Sequence, residues 1–511
     1  MPRGGGKSAK AVVAKRPRES GEERRAEEQE RAIGRPTRSM RREDIRNDGG
    51  ATTTVATPGG RGANRVDPGE PPLRRSSPGP GGRRQQKMHN EGNMETGTLQ
   101  AVLSRENLAA AWRAVKANHG TAGVDGMDIE RTQAHLKDHW DNIDSKLRAG
   151  AYCPAAVRAV EIPKPHGGTR TLGIPNVQDR LIQQAIHQQL APLWEAEFSS
   201  HSYGFRAGRN AHDSVRAAQG YIKAGKTWVV DIDLKSFFDE VNHDILMRQV
   251  GERVRDKVLL RLIGDYLRAP MQTADGRKTK RTRGTPQGGP LSPLLANIYL
   301  DPLDQELERR GLAFVRYADD IAIFAASERS AGRILESVIC WIEKNLKVPV
   351  NREKSRSGPT DESGLLGFRL YADGRLGVGP KAITRMKDRV RELWDARQSL
   401  TSNQLRDQWT TYIQGWWNYF GVVNWRREVE DTSGWIRRHM RKCFWLRWKT
   451  PRGRLNALRR LGVKGRALGI SYTGMGAWAV ARHWAMHQAL KQVVLNRYGL
   501  IVPWDFAEAY A

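Results

Sequence analysis

Phe314-Val-Arg-Tyr-Ala-Asp-Asp-Ile-Ala-Ile-Phe324 sets two adjacent carboxylates, Asp319 and Asp320, between runs rich in β-branched and aromatic residues. Phe314-Val315 and Ile321-Ala322-Ile323-Phe324 each read as a short buried strand. Tyr317-Ala318-Asp319-Asp320 is then the tight turn of a hairpin. Successive strand side chains point to opposite faces, so only a turn easily aims both carboxylates at one point. Like charges held together are costly unless a cation lies between them, and hard carboxylate oxygens suit Mg²⁺. A bare Asp-Asp pair is ordinarily a solvated turn. The apolar flanks, and the motifs around them, point to chemistry instead.

Trp228-Val-Val-Asp-Ile-Asp-Leu-Lys-Ser-Phe-Phe-Asp-Glu-Val-Asn-His243 is the second chemical stretch. Trp228 to Leu234 reads as strand, followed by a turn into a helix carrying His243 and Leu246. Asp231, Asp233 and Lys235 alternate with Val230, Ile232 and Leu234, which gives one polar and one apolar face. A polar row at a strand's end is where a metal-binding carboxylate belongs, and Asp233 and Asp231 compete for that place. Upstream, Val157 to Pro175 reads as two strands joined by a Gly-Gly turn. Lys164 and Arg170 flank the turn. Two cations on a hairpin tip suit a triphosphate, with ordinary surface charges as the plainer alternative. Downstream, Gly284-Thr-Pro-Gln-Gly-Gly-Pro-Leu-Ser-Pro293 is a Gly/Pro loop opening an apolar helix. Gln287 stands just before Gly288-Gly289, where backbone can approach a ligand closely. Ser202-Tyr-Gly-Phe-Arg-Ala-Gly-Arg209 sets Arg206 and Arg209 among aromatics and glycines. That pattern suits either a nucleic-acid backbone or a structural turn.

With 511 residues the chain can hold about two to four domains and bury large cores. Lys+Arg total 85 against 56 Asp+Glu, a net charge of +29. Such an excess predicts a polyanionic partner, most simply nucleic acid, with an anionic membrane surface the weaker fit. No apolar run is long enough for a membrane span, and the charged N-terminus lacks the apolar core of a secretory signal. Cys153, Cys340 and Cys443 stand far apart, so neither a disulfide framework nor a zinc finger is expected, and a reducing cytoplasm fits. Residues 1 to 93 hold 21 Lys+Arg, 12 Asp+Glu and no aromatic residue. Such a segment is expected to be disordered. It either adds weak RNA affinity or reflects the choice of start site, with Met94 opening the folded part. From Leu99 the spacing turns helical through Val115, and a second helix is expected over Thr132–Ala149. Beyond residue 380 lie 11 of the 16 tryptophans, and residues 381 to 511 carry 24 Lys+Arg against 9 Asp+Glu. Helical spacing puts Trp409, Ile413, Trp416, Trp417 and Phe420 on one side, as core. Arg437, Arg438, Arg441 and Lys442 are the better RNA candidates.

Tyr-Ala-Asp-Asp in a strand hairpin, preceded by a Pro-Gln-Gly-x-Pro-x-Ser-Pro string, resembles the palm of a reverse transcriptase. Across about residues 99 to 500 the chain resembles a bacterial group II intron-encoded reverse transcriptase, or maturase. The resemblance implies an α+β right-hand polymerase, with fingers and palm on antiparallel sheet, then a mainly helical thumb and maturase region. The corresponding divisions are 1–93 (basic segment), 94–155 (helical extension), 156–375 (fingers and palm) and 376–511 (thumb and maturase RNA-binding region).

By the family pattern, Asp233 joins Asp319 and Asp320 as catalytic carboxylates holding two Mg²⁺ ions. Phe238 matches the aromatic that packs beneath the sugar and excludes a 2′-hydroxyl. Lys164, Arg170 and Gln287 match residues on the incoming dNTP, and Lys354 takes the place of a cation that helps pyrophosphate leave. Gly364 to Phe368 is similar to the hairpin that grips the primer end. The implied partners are group II intron RNA, an RNA template and a DNA primer or target, with no membrane. The implied place is the bacterial cytoplasm, at the nucleoid when acting on DNA; oligomeric state stays open. No HNH-type cluster follows the tail, so the DNA-cutting domain of some relatives is expected to be absent, with priming from a nascent strand at a replication fork. Two other functions compete: a splicing-only RNA-binding maturase with a vestigial polymerase site, and a reverse transcriptase recruited to phage defence or CRISPR spacer acquisition. The intact carboxylates argue against the first and the basic Trp-rich tail against the second.

Overall fold

A computed structural model describes residues 96–163 and 169–509. The expected disordered segment and Lys164 lie outside the described residues. The described chain opens with α1 (Leu99–Val102), α2 (Arg105–Ala117) and α3 (Ile129–Arg148). Thr98, Ser104 and Asp128 start these helices, each side chain accepting from the backbone N–H three residues on. Such caps satisfy donors that the first turn leaves orphaned. β1 (Val157–Pro163) and β2 (Thr169–Ile174) pair antiparallel, Arg158 opposite Ile174 and Pro163 opposite Thr169. This is the expected fingertip hairpin.

Helices α4 (Val177–Glu195) and α5 (Ala211–Lys223) then lead to β3 (Trp228–Asp233). The one-turn helix α6 (Phe237–Glu240), then α7 (His243–Gly251) and α8 (Lys257–Arg268), follow it. Short strands β4 (Met271–Gln272) and β5 (Lys278–Thr279) extend the β1–β2 sheet. Helix α9 (Ser292–Arg309) precedes the hairpin of β6 (Ala313–Tyr317) and β7 (Asp320–Ala325), and α10 (Glu328–Asn345) precedes β8 (Arg356–Pro359). The palm sheet runs in the order β6-β7-β3-β8, with every pairing antiparallel.

The palm strands are apolar on both faces, as a sheet covered on two sides must be. Val230, Ile232, Phe314, Ile321 and Ile323 face a core shared with α4, α9 and α10. Val229, Val315, Ala322 and Phe324 face a second core, shared with α5 and the C-terminal helices. Asp231 and Asp233 continue the second face beyond the end of its apolar rows.

A three-stranded sheet follows, from β9 (Gly364–Leu365), β10 (Phe368–Leu370) and β11 (Leu376–Val378). The rest is helical: α11 (Pro380–Leu393), α12 (Ser402–Phe420), α13 (Arg427–Arg447), α14 (Pro451–Arg460), α15 (Ala477–Arg482), α16 (Trp484–Ala489), α17 (Gln492–Arg497) and α18 (Pro503–Ala509). Helix α12 begins at a reciprocal Thr401–Gln404 cap and buries Leu405, Trp409, Ile413, Trp416, Trp417 and Phe420. The expected aromatic stripe is therefore core. Each such large apolar side chain contributes on the order of 2–3 kcal/mol.

Candidate functional site

Asp233 closes β3 directly opposite Asp320, the first residue of β7. Residues directly opposite on an antiparallel pair share a face, so both carboxylates leave the sheet on one side. Asp319 sits in the two-residue turn between Tyr317 and Asp320, and Ala318 takes φ +59° to make that turn. Burial, then Asp319, Asp233 and Asp231, push the Asp320 carboxyl up to about 6. Burial also raises Asp319, with Asp233 adding to the rise and Arg170 opposing it. The Asp319 and Asp320 carboxyls are thus both raised, by burial first and then by neighbouring acids at the end of β3. Among the described residues no group of three His, Cys, Asp or Glu closes into a cation cage. Mg²⁺ fits such an open set of donors, because it keeps several waters and binds through one or two carboxylates plus substrate phosphates.

Asp231 lies on the same face but has other work. It accepts from Ser363 Oγ at 2.9 Å and stands opposite Arg356 across the β3–β8 pair. Lys354 lies closer to the chemistry than a palm edge: its Nζ is 3.7 Å from the Asp233 carboxylate. These residues line a cleft of about 880 Å³ together with the β9–β10 turn. Arg356 and Ser363 escaped the sequence analysis. Neither belongs to a motif: strand pairing brings Arg356 opposite Asp231, and a hydrogen bond from just before β9 brings Ser363.

The fingers and the Gly/Pro loop meet. Arg170 Nε donates to Gln287 Oε1 at 2.5 Å, and the Gly173 N–H donates to the Gln287 carbonyl at 2.8 Å. A Cβ on Gly288, where φ is +130°, would run into the Gly173 carbonyl, so strand and loop lie backbone to backbone. Phe238 is 8% exposed, edge-on to Phe237, and its carbonyl accepts from the Thr285 N–H at 2.7 Å. That bond seats the loop on the turn after β3. The expected nucleotide residues Arg170 and Gln287 are thus in contact, and Arg170 is within electrostatic reach of Asp319.

The expected RNA contacts divide. Arg206 is buried, paired with Glu195 at 2.8 Å, and donates to the Ser199 and Ser202 carbonyls. Its segment is the structural turn, because a Cβ on Gly204 would collide with the Ala318 backbone. Arg209 stays partly exposed over the Tyr203 ring, donating to the Ser200 carbonyl. Arg437 is held by Asp505 at 2.6 Å, and Arg441, 5% exposed, caps the Leu490 carbonyl with Nε and Nη2. Arg206, Arg437 and Arg441 are corrected to interior roles: each guanidinium is bonded to protein groups that long-range packing brings over it. Arg438 and Lys442, with Arg391, Arg482, Trp435 and Trp478, line an open hollow of about 1080 Å³. Lys442 Nζ is 4.5 Å from the Trp478 ring centre. Burial, then Lys442, Arg391 and Arg438, push the His439 ring down to about 4. Five Arg and Lys side chains line the hollow against Glu392 and Asp395, an excess of positive charge.

Residues 162–370 match the reverse transcriptase (RNA-dependent DNA polymerase) family, and residues 383–462 match the group II intron, maturase-specific domain. Protein YkfC of Escherichia coli (strain K12) is 32% identical over 313 residues, 53% of this chain and 82% of YkfC. The chain belongs to the group II intron reverse transcriptase/maturase family. Within that family, the group II intron-encoded protein LtrA of Lactococcus lactis subsp. cremoris is 33% identical over 216 residues, 42% of this chain. The match spans 36% of LtrA. A solved structure titled partial Cas6-RT-Cas1--Cas2 complex is 25% identical over 47% of this chain and 42% of that chain, with a TM-score of 0.32. The first match runs from β1 to β10, and the second from α11 to just beyond α14. Among the described residues no helix is long and apolar enough to cross a membrane.

Proposed function

We propose that this chain is the RNA-directed DNA polymerase of a group II intron, and that its helical tail binds the intron RNA to assist splicing and mobility. The observation that carries the polymerase is the cross-strand pair Asp233–Asp320 with Asp319 in the adjoining turn, facing fingers that hold Arg170 against Gln287. Asp233, Asp319 and Asp320 are the residues to hold two Mg²⁺ ions. When bound, such ions supply Lewis acidity that lowers the pKa of a primer 3′-hydroxyl and neutralises triphosphate charge. Arg170 and Gln287, with Lys164, orient the dNTP phosphates so that its α-phosphorus faces the primer. Phe238 forms the floor beneath the sugar and selects against a 2′-hydroxyl. Lys354, beside Asp233, meets the negative charge that gathers on the leaving pyrophosphate.

Arg438 and Lys442 supply phosphate contacts for the intron RNA in the positive hollow, and Arg209 adds one beside the palm. The domain division follows: a helical extension to residue 155, fingers and palm over 156–375, thumb and maturase region beyond. Primer extension on an RNA template with dNTPs and Mg²⁺ tests the polymerase. Wild type is expected to give long cDNA and Asp319→Ala none. A folded wild-type protein that extends no primer would leave only the RNA-binding role.

A further inference from the structure

We propose that Arg316 is a positioning residue of the polymerase site, holding from behind the sheet the peptide that carries Asp319. The proposal rests on the polymerase reading above and adds a residue that the metal-facing side of the palm does not show. Arg316 lies on β6 opposite Ile321, one residue out of phase with the carboxylates, so its side chain leaves the other face of the sheet. Its side chain and that of Asp304 are both 0% exposed.

Every nitrogen of the guanidinium is used. Nε lies 2.7 Å and Nη2 2.5 Å from the Asp304 carboxylate. Nη1 donates to Asn297 Oδ1 at 2.9 Å and to the Ala318 carbonyl at 3.0 Å. Asn297 and Asp304 both lie on α9, seven residues and so about two turns apart, on one face. Asn297 Nδ2 in turn donates to the Gly204 carbonyl at 2.9 Å. Gly204 packs so close under the hairpin that no Cβ fits against the Ala318 nitrogen.

The target of Nη1 gives this network its function. An ion pair that only joined α9 to β6 would not need to reach the turn. The Ala318 carbonyl shares one rigid peptide plane with the Asp319 N–H. Fixing that oxygen therefore fixes where the Asp319 side chain starts. Ala318 stands at φ +59°, a conformation that L-residues adopt only when their surroundings hold them there. Arg316 from behind and Gly204 from below are those surroundings.

The test replaces the buried pair without leaving a charge behind. Arg316→Met/Asp304→Val stays near the summed volume of the pair and removes both charges, an exchange that buried pairs often tolerate. Folding is checked by circular dichroism, template–primer affinity by anisotropy, and the carboxylate site by Mn²⁺ titration with EPR, which needs no catalysis. The double variant is expected to fold and bind template–primer as wild type does, with Mn²⁺ bound more weakly and kcat for single-nucleotide incorporation reduced about 100-fold, the effect of a misplacement near 1 Å. Arg316→Lys, which keeps the charge but loses the fork, should fall between. A folded double variant with Mn²⁺ affinity and kcat within about threefold of wild type would overturn the proposal. Should the double variant not fold, Arg316→Lys decides, since its single ammonium keeps the charge beside Asp304 but loses the second arm on the Ala318 carbonyl; unchanged Mn²⁺ affinity and kcat there would overturn it equally. Wild type that binds Mn²⁺ but extends no primer would defeat the polymerase reading instead, and the Mn²⁺ titrations would still decide the role of Arg316.

Discussion

Asp320 meets three other carboxylates at the mouth of the cleft, and its carboxyl rises to about 6 from an ordinary 3.8. An acid so shifted stabilises the fold fully below its unfolded pKa, and that contribution is lost as pH rises through the folded value. Without divalent cation, Asp320→Asn is therefore expected to melt higher than wild type at about pH 7.5, by thermal circular dichroism. The gap should close as pH falls through about 6 toward 4. Equal melting temperatures at the upper pH would mean that Asp320 is not held against its neighbours. The acids themselves were legible in the sequence, since a carboxylate pair between two apolar runs has few other uses. The choice between Asp231 and Asp233 was harder, because alternation puts both on one face. Register sets the two apart: Asp233 stands opposite Asp320 and Asp231 opposite Ala322. Lys354 at Asp233, and Ser363 at Asp231, were illegible because no local pattern links residues so far apart in the chain that meet only through side chains.

Helix α13 shows where reading an element from its sequence succeeds and where it fails. Its apolar spacing marks a helix, and Ile436, Met440 and Cys443 are buried as that spacing requires. Four cations crowd the same stretch, and composition treats them alike. The i,i+4 geometry separates them into two pairs: Arg437 with Arg441, under α18 and the Leu490 backbone, and Arg438 with Lys442, over the hollow. The covering residues lie some fifty to seventy positions downstream, beyond the reach of any helical pattern. Arg437→Ala, which takes the countercharge from buried Asp505 but leaves its bonds from Gln492 and the Val502 N–H, is expected to cost about 3 kcal/mol in denaturant unfolding. Arg438→Ala and Lys442→Ala should leave stability nearly unchanged while weakening RNA binding. Each should lower the slope of log K against log salt by about 0.7–1, measured by filter binding. Unchanged slopes in both would move the RNA contact away from α13. The fingertip hairpin and the α12 stripe were both legible, since each follows one period from end to end.

At the scale of the whole molecule, the net charge of +29 named the class of partner without naming a surface. The right-hand arrangement was legible only through the order of its motifs: fingertip cations, then a strand ending in Asp233, then the Pro-Gln-Gly loop, then the Asp319–Asp320 hairpin. Which face of the palm is catalytic, and what holds it from behind, depended on packing that no motif records. Asn297 and Asp304 are polar residues on a largely buried helix, and that was the one trace of the network beneath Ala318. On the proposed function, the front of the palm catalyses DNA synthesis on an RNA template at Asp233 and not at Asp231. Single-turnover incorporation of one dNTP on a primed RNA template, comparing Asp233→Asn with Asp231→Asn, tests this. Asp233→Asn is expected to fall by at least about 1000-fold, while Asp231→Asn stays within about tenfold of wild type. Equal activity in Asp233→Asn and wild type, or loss in Asp231→Asn alone, would contradict it.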